Sequence, residues 1–389
     1  MIHEIKSRPE ALNLLLREEK SGSPDIPCSI RANIEKSGEE LSQEIDVLAA
    51  GTDGYWGAAF RIGDDLYVNA STERAAKELL QRGMRRMGVK VVSPQDWILR
   101  RASDFAETSR MPLPGTERRP WGARLESQKE PLVELARSLQ TEKGRAESGC
   151  YAAHGVLLAE RAISAFAPIG AMLFVDRFAE GEGCDLARRT AEEGIPWFVF
   201  TEGLMRKCVD SAFVPPVLTI LHQNLIPAAD VHIHDDFLAV LAENVEEHGN
   251  LGMILRTADA AAADLVFTIG CDPFHWRTVT GSRGSIFRVP VCTIPNSGFR
   301  IPDWEPRIQV VAAVTGTDRG YTELNYRRPT LFLVGNETKG LSNDAMEMAS
   351  ERVTIPMPGG TDSLNVAVSA SVLLYEALRQ RLQICSRHS

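Results

Sequence analysis

From residue 237 onward the chain alternates short, largely apolar runs with helix-like segments, and this alternation constrains the fold more than any other feature. The runs at 237–241, 265–269, 289–293, 309–314, 331–334 and 352–355 are too apolar to leave one face in water. Strands of that kind, separated by helices, predict an α/β fold around a parallel sheet covered on both faces. Upstream, residues 131–139, 156–166 and 186–193 read as helices and 171–175, 197–200 and 217–221 as strands, which predicts a second, smaller α/β unit. Pro112, Pro114 and Pro120 break the pattern ahead of it. The expected organisation is therefore 1–120, 121–235 and 236–389. In the first segment 72–87 reads as an amphipathic helix, 89–92 as a strand and 53–60 as a glycine- and aromatic-rich loop or strand. No motif in it points to a function.

Two glycine loops follow the last apolar runs: Gly335-Asn336-Glu337-Thr338-Lys339-Gly340-Leu341-Ser342 and the stretch 355–365. A glycine-rich turn after a parallel strand exposes backbone N–H and C=O groups to a ligand. The spacing Gly335 to Gly340 imitates a phosphate-binding loop, but Leu341 stands where that motif needs its lysine. Glu337 would also set a carboxylate against the phosphate. A cationic ligand read by backbone groups and apolar walls fits better, and Ile355, Pro356, Met357 and Leu364 supply such walls. An adenosine carrying a sulfonium meets that description.

The runs Leu333-Val334-Gly335-Asn336-Glu337 with Gly340-Leu341-Ser342, and Ile355-Pro356-Met357 with Ser363-Leu364-Asn365-Val366-Ala367-Val368, resemble two motifs of the SpoU (TrmH-like) RNA ribose methyltransferases. A third, Asn250-Leu251-Gly252-Met253-Ile254-Leu255-Arg256-Thr257-Ala258, resembles that family's N-x-G-x-x-x-R-T-A segment at the start of a helix. Three motifs in the family's order are far more specific than any one glycine pattern. Some positions depart from it: His248-Gly249 precede Asn250 in place of the usual Pro, Thr338 replaces a Gly, and 279–285 reads Val-Thr-Gly-Ser-Arg-Gly-Ser, displacing the usual Arg. The middle segment resembles the L30e-like substrate domain often joined to such enzymes, with Lys143-Gly144-Arg145 at its start and His154 in place of a usual Glu.

The resemblance implies a knotted parallel-sheet (trefoil-knot, SPOUT) catalytic domain behind an L30e-like domain and an N-terminal extension. It implies S-adenosyl-L-methionine as cofactor, RNA as substrate, and a homodimer in which the last helix takes part and the site is shared between subunits. The implied reaction is methylation of a ribose 2′-hydroxyl, in ribosomal RNA, towards which the L30e-like module leans, or in transfer RNA. The implied catalytic positions are Arg256, Asn250, Glu337, Ser363 and Asn365. Cofactor contacts are implied at Thr315, Gly316, Gly335, Asn336, Ile355, Met357, Ser363 and Leu364.

The 2′-hydroxyl must lose its proton as it attacks. A guanidinium is a weak base, so Arg256 reads as a phosphate holder and stabiliser of developing charge, with a base role as the other option. Asn250 and Asn365 both donate and accept, which suits orienting a ribose or fixing a loop. Ser363 reads alternatively as the cap of the last helix, and Glu337 as a support for Asn250 or Arg256 or as the cap of a helix near Leu341. Two other readings stand beside the enzyme: a non-catalytic RNA-binding module that keeps the fold, and a base-methylating relative.

Composition sets the outer bounds. The 389 residues, 44% hydrophobic and 24% charged, suffice for several cores. No run is long enough to span a membrane and residues 1–6 lack a signal-type apolar core, so a cytoplasmic location is expected. Seven scattered cysteines without C-x-x-C spacing predict reduced thiols. His232 and His234 lack a second ligand group and read as a polar turn, so no metal is expected. The net charge of −9 opposes RNA binding overall. Local basic clusters at Arg82, Arg85, Arg86 and Lys90, at Arg100 and Arg101, and at Arg118, Arg119 and Arg124 leave room for a basic groove.

Overall fold

The computed structural model describes the backbone of residues 30–36, 39–52, 55–62, 65–68 and 90–94. It also describes residues 113–116 and 120–385 apart from 166, 211–212, 224, 229–230, 232, 234 and 296–307, with side chains to 382. The chain divides into two compact units, Met1–Gln223 and Asn224–Ser389. The helix expected at 72–87, the two expected histidines 232 and 234, and the basic residues 82–86, 100–101 and 118–119 lie outside the described residues.

The first unit holds two sheets. Strands β1 (Ile30–Lys36), β2 (Glu39–Thr52), β3 (Tyr55–Ile62), β4 (Asp65–Val68) and β5 (Lys90–Pro94) run in the order β4-β3-β2-β1-β5. Neighbours are antiparallel, with Ile30 opposite Ile45 and Thr52 opposite Tyr55. The first four strands are separated by the dipeptides Ser37-Gly38, Asp53-Gly54 and Gly63-Asp64, sequences suited to two-residue hairpins. That signal was available in the chain, and the residues read as a loop or strand at 53–60 are mostly β3.

The second sheet contains β6 (Arg124–Leu125), β7 (Cys150–His154), β8 (Ile169–Val175), β9 (Trp197–Phe200) and β10 (Val217–His222) in the order β6-β9-β8-β10-β7. Strands β6, β9 and β8 are parallel, and β10 runs against both β8 and β7. All seven residues of β8 are buried, as a continuous apolar run in a covered central strand requires. Among the described residues of this unit the helices are α1 (Pro131–Ser138), α2 (Glu142–Ser148), α3 (Val156–Ser164), α4 (Asp176–Ala179), α5 (Cys184–Glu192) and α6 (Glu202–Lys207). Arg145, part of the Lys143-Gly144-Arg145 run, is buried and donates to the Leu139 carbonyl at 2.7 Å, which makes it a structural group. Arg124, from the third basic cluster, pairs with Asp176.

The described residues of the second unit form one sheet of six parallel strands: β11 (Leu238–Glu243), β12 (Leu265–Ile269), β13 (Val291–Ile294), β14 (Gln309–Ala313), β15 (Thr330–Val334) and β16 (Glu351–Val353). Their order is β13-β12-β11-β15-β14-β16: the chain runs outward from β11 through β12 to β13, crosses to β14, turns back to β15 between β14 and β11, and ends outside β14 at β16. Helices α7 (His248–Ala260), α8 (Trp276–Gly281), α9 (Asn343–Met348) and α10 (Val366–Cys385) join or cover these strands. The apolar core runs through Phe237, Leu241, Phe267, Cys292, Val310, Leu331 and Leu333.

The last helix is tied down at its far end. Arg381 donates to the carbonyls of Tyr326 at 2.8 Å, Phe237 at 3.1 Å and Arg328 at 3.2 Å, and to that of Asp236. Gln380 adds bonds to the Tyr326 N–H and the Leu324 carbonyl. Among the described residues no helix is long and apolar enough to cross a membrane.

Candidate active site

In an open parallel sheet the carboxyl ends of the strands form a crevice where the winding direction changes. Here β14, β15 and β16 end side by side, and the segments that leave them enclose a cleft of about 400 Å³. Its walls are 313–315 after β14, 334–341 after β15, and parts of 353–369 after β16. Seven of the eight expected cofactor residues line it: Thr315, Gly335, Asn336, Ile355, Met357, Ser363 and Leu364. Gly316 does not, although it directly follows Thr315.

The first glycine loop closes on itself. Asn336 N–H donates to the Gly340 carbonyl at 3.1 Å, and Gly340 N–H returns a bond to the Asn336 carbonyl at 2.9 Å. The Asn336 side chain accepts from the N–H groups of Thr338 and Lys339 and donates to the Asn244 carbonyl at 2.9 Å and to Glu246 Oε1 at 3.0 Å. Asn336 is thus a loop-former fastened to the end of β11.

Beside the cleft, three expected residues form one hydrogen-bond chain. Asn250 Nδ2 donates to Glu337 Oε1 at 2.7 Å, and Asn365 Nδ2 donates to Asn250 Oδ1 at 3.0 Å. Asn365 Oδ1 then accepts from the N–H groups of Ala367 and Val368 at the start of α10. The direction of this chain is forced. A carboxylate only accepts, so Asn250 must turn its amide nitrogen to Glu337, which leaves its oxygen for Asn365 and the Asn365 oxygen for the helix. Partial burial raises the Glu337 carboxyl, but the Asn250 amide and the backbone N–H groups of 246, 247 and 337 outweigh it and hold the group below the ordinary carboxylate range. At neutral pH Glu337 is therefore the ionised acceptor that the chain needs.

Three expectations change. Ser363 does not cap the last helix, which begins at Val366 and is capped by Asn365; Ser363 is an exposed lining residue of the cleft. Glu337 does not cap the helix near Leu341, because Ser342 does so by accepting from Ala345 N–H at 3.1 Å. Arg256 does not join the cluster. It lies six residues beyond Asn250 on α7, and six residues turn a helix through about 600°, so the two side chains leave the axis about 120° apart. Arg256 is exposed, and among the described residues its side chain makes no hydrogen bond or ion pair.

One supporting residue was missed. Glu243 is buried at the carboxyl end of β11 and accepts from Ser342 N–H at 2.8 Å and Ser342 Oγ at 2.6 Å, fixing the exit of the glycine loop. A carboxylate closing an otherwise apolar strand was the signal for it.

Asn250 is placed by Gly252. A Cβ there would lie 2.6 Å from the Thr278 carbonyl oxygen and 2.9 Å from Gly281 backbone atoms, so α7 rests directly on the backbone of α8. Gly252→Ala must push the helices apart, and overpacking of this kind costs about 1–3 kcal/mol. The expected result is a lower melting temperature, read by calorimetry; a variant as stable as the parent would remove the close-contact role.

Comparison with known proteins bears on this arrangement. Residues 237–375 match the SpoU rRNA Methylase family. A tRNA (guanosine(18)-2′-O)-methyltransferase of Thermus thermophilus is 37% identical over 149 residues, which are 38% of this chain and 76% of that protein. The chain belongs to the SpoU family.

A 23S rRNA (uridine(2479)-2′-O)-methyltransferase of Streptomyces viridochromogenes is 35% identical over 180 residues, covering 43% of this chain and 61% of that enzyme's length. The crystal structure of the SpoU methyltransferase AviRb from the same organism, in complex with AdoMet, superposes with a TM-score of 0.58 at 27% identity, covering 64% of this chain and 98% of that one. All three SpoU motifs fall within the matched region, and the Glu337–Asn250–Asn365 chain and two walls of the cleft are built from them.

Proposed function

We propose that this SpoU family member transfers a methyl group from S-adenosyl-L-methionine to a ribose 2′-hydroxyl of RNA. The observation that carries the proposal is the Glu337–Asn250–Asn365 chain at the rim of the strand-end cleft. The donor set of that cleft fits the cofactor. Val314, Ile355, Met357 and Leu364 offer apolar walls, the glycine loop offers backbone groups, and the carboxylates of Glu337 and Asp362, which also line the cleft, would suit a cationic ligand. A volume of about 400 Å³ lies in the range of small-molecule sites. When bound, the cofactor supplies an electrophilic methyl group.

The chain's own residues hold the two glycine loops together and orient the ribose. Asn250 keeps one amide N–H and one oxygen lone pair beyond the bonds described, and Asn365 keeps one N–H. Arg256 binds an RNA phosphate and stabilises the negative charge that develops on the attacking oxygen. The polar residues of the full set favour an enzyme over a non-catalytic RNA-binding module.

The finer reading follows the same line. The three loops around one cleft support a trefoil-knot (SPOUT) catalytic domain at 236–389, with an L30e-like domain at 121–235 and an N-terminal extension at 1–120. A homodimer is supported by α10, where Val368, Tyr375 and Leu382 stand exposed at seven-residue intervals, a single apolar line along the helix. Arg256, turned away from Asn250, then serves a site completed by the partner subunit. Ribosomal RNA is the favoured substrate and the cytoplasm the favoured location.

The test is transfer of labelled methyl from S-adenosyl-L-methionine to total cellular RNA lacking its own modifications, followed by nuclease mapping. One labelled position resistant to alkaline cleavage is expected. Cofactor binding with no labelled RNA would favour the binding module.

A further inference from the structure

The segment after β12 departs from its family's pattern, and the departure places π-systems next to the candidate site. His275 caps α8, with its Nδ1 accepting from Arg277 N–H at 3.3 Å. Its ring stacks on that of His248, with centroids 3.7 Å apart and planes 18° from parallel. His248 is the first residue of α7 and lies two positions before Asn250. On the other side, the His275 ring lies 5.9 Å from that of Trp276, and the Arg277 guanidinium lies over the Trp276 ring at 5.2 Å from its centroid. The order His248, His275, Trp276, Arg277 therefore runs from the start of the Asn250 helix out to an exposed arginine.

The ladder is held in place. Thr278 Oγ1 donates to the His248 carbonyl at 3.1 Å, and the contact at Gly252 locks α8 against the same turn of α7. A guanidinium lying over an indole is restrained in orientation and leaves an outer surface to a ligand. Single-stranded RNA is bound through such surfaces: bases stack on aromatic rings or arginine planes while N–H groups take phosphates.

From this geometry we infer that Arg277, backed by Trp276, is a stacking platform for an unpaired base next to the methylated ribose. Arg277 and Trp276 are then substrate-binding residues, and the platform rests on the RNA methyltransferase reading above. It also explains how this chain contacts RNA in a segment where the family's usual arginine is displaced.

Two variants of the full-length protein test it: Arg277→Lys, which keeps the charge and loses the planar group, and Trp276→Leu, which keeps an apolar side chain and loses the ring. The measurements are the apparent KM and kcat with unmodified ribosomal RNA, the affinity for a short single-stranded RNA, and the affinity for S-adenosyl-L-methionine. Each variant is expected to raise KM and weaken the short RNA about tenfold, within the range reported for loss of one stacked base. Cofactor affinity and kcat are expected to stay within about twofold, and Trp276→Phe to restore most of the loss. An Arg277→Lys protein with the parent's KM would reduce Arg277 to a point charge and overturn the platform. Parallel loss of cofactor and RNA affinity in Trp276→Leu would make the ring a packing element and overturn it too. Failure of the parent itself to methylate any RNA sinks the functional reading, whereas parental activity with unaltered variants sinks the platform alone.

Discussion

Replacing Arg256 with alanine is expected to lower methyl transfer about 10²- to 10³-fold while leaving affinity for S-adenosyl-L-methionine unchanged. The magnitude is that of removing one donor aimed at charge that develops in a transition state. The substitution is clean because Arg256 is exposed and, among the described residues, its side chain bonds to nothing. Alanine is also the best helix former, so α7 loses no propensity. Arg256→Lys is expected to recover only part of the rate, because an ammonium lacks the planar fork that grips a phosphate. Steady-state turnover and calorimetric cofactor titration, run on the same preparations, check both halves. Unchanged turnover would take Arg256 out of the mechanism.

Gly335→Ala is expected to produce the complementary defect. A Cβ at Gly335 would lie 2.5 Å from the carbonyl carbon and oxygen of Gly340 and 2.6 Å from Leu341 N. These are backbone atoms of a loop already closed by the Asn336–Gly340 bonds, so no flexible side chain can yield. The loop must open, and its residues 334–341 are a wall of the cleft. Overpacking of about 1–3 kcal/mol, felt in the cofactor-binding shape, corresponds to about a 5- to 150-fold loss of cofactor affinity. Parental affinity in this variant would mean that the cofactor does not use the cleft.

The two variants together test where Arg256 acts. If each site takes its cleft from one subunit and Arg256 from the other, a mixed dimer of the two variants contains one intact site. Random mixing then restores about a quarter of the parental activity, since half the dimers are mixed and each has one site of two. If Arg256 serves its own subunit's cleft, every site in every mixed dimer carries a defect and, at cofactor concentrations below the Gly335→Ala affinity, activity does not rise above that of the two variants alone.

How much of this was readable beforehand varies with the distance over which each feature is set. The strands at 171–175, 265–269 and 331–334 were legible because burial on both faces leaves a continuous apolar run. The second unit's parallel sheet followed from the helices between them. Seven of the expected cofactor positions fall at one cleft because strand-end loops keep their place when the sheet does. The cap of α10 was misplaced by two residues, since Ser363 and Asn365 are both good capping residues and only the loop's path decides which one reaches the helix. The antiparallel meander of β1 to β4 was signalled by its dipeptide spacers and went unread.

The sequence by itself determined the alternation of strands and helices, the family, and the identity of the polar residues at the cleft, because all of these are written in local spacing. Only the tertiary structure decided how those residues work together. Asn250 and Glu337 are 87 positions apart and Asn250 and Asn365 are 115 apart, and the direction of their hydrogen bonds depends on a carboxylate at one end and a helix terminus at the other. The turn of Arg256 away from Asn250, the backbone contact at Gly252 and the stacking of His248 on His275 are of the same kind. Each depends on where two remote segments meet, and that is fixed by packing, not by the pattern within either segment.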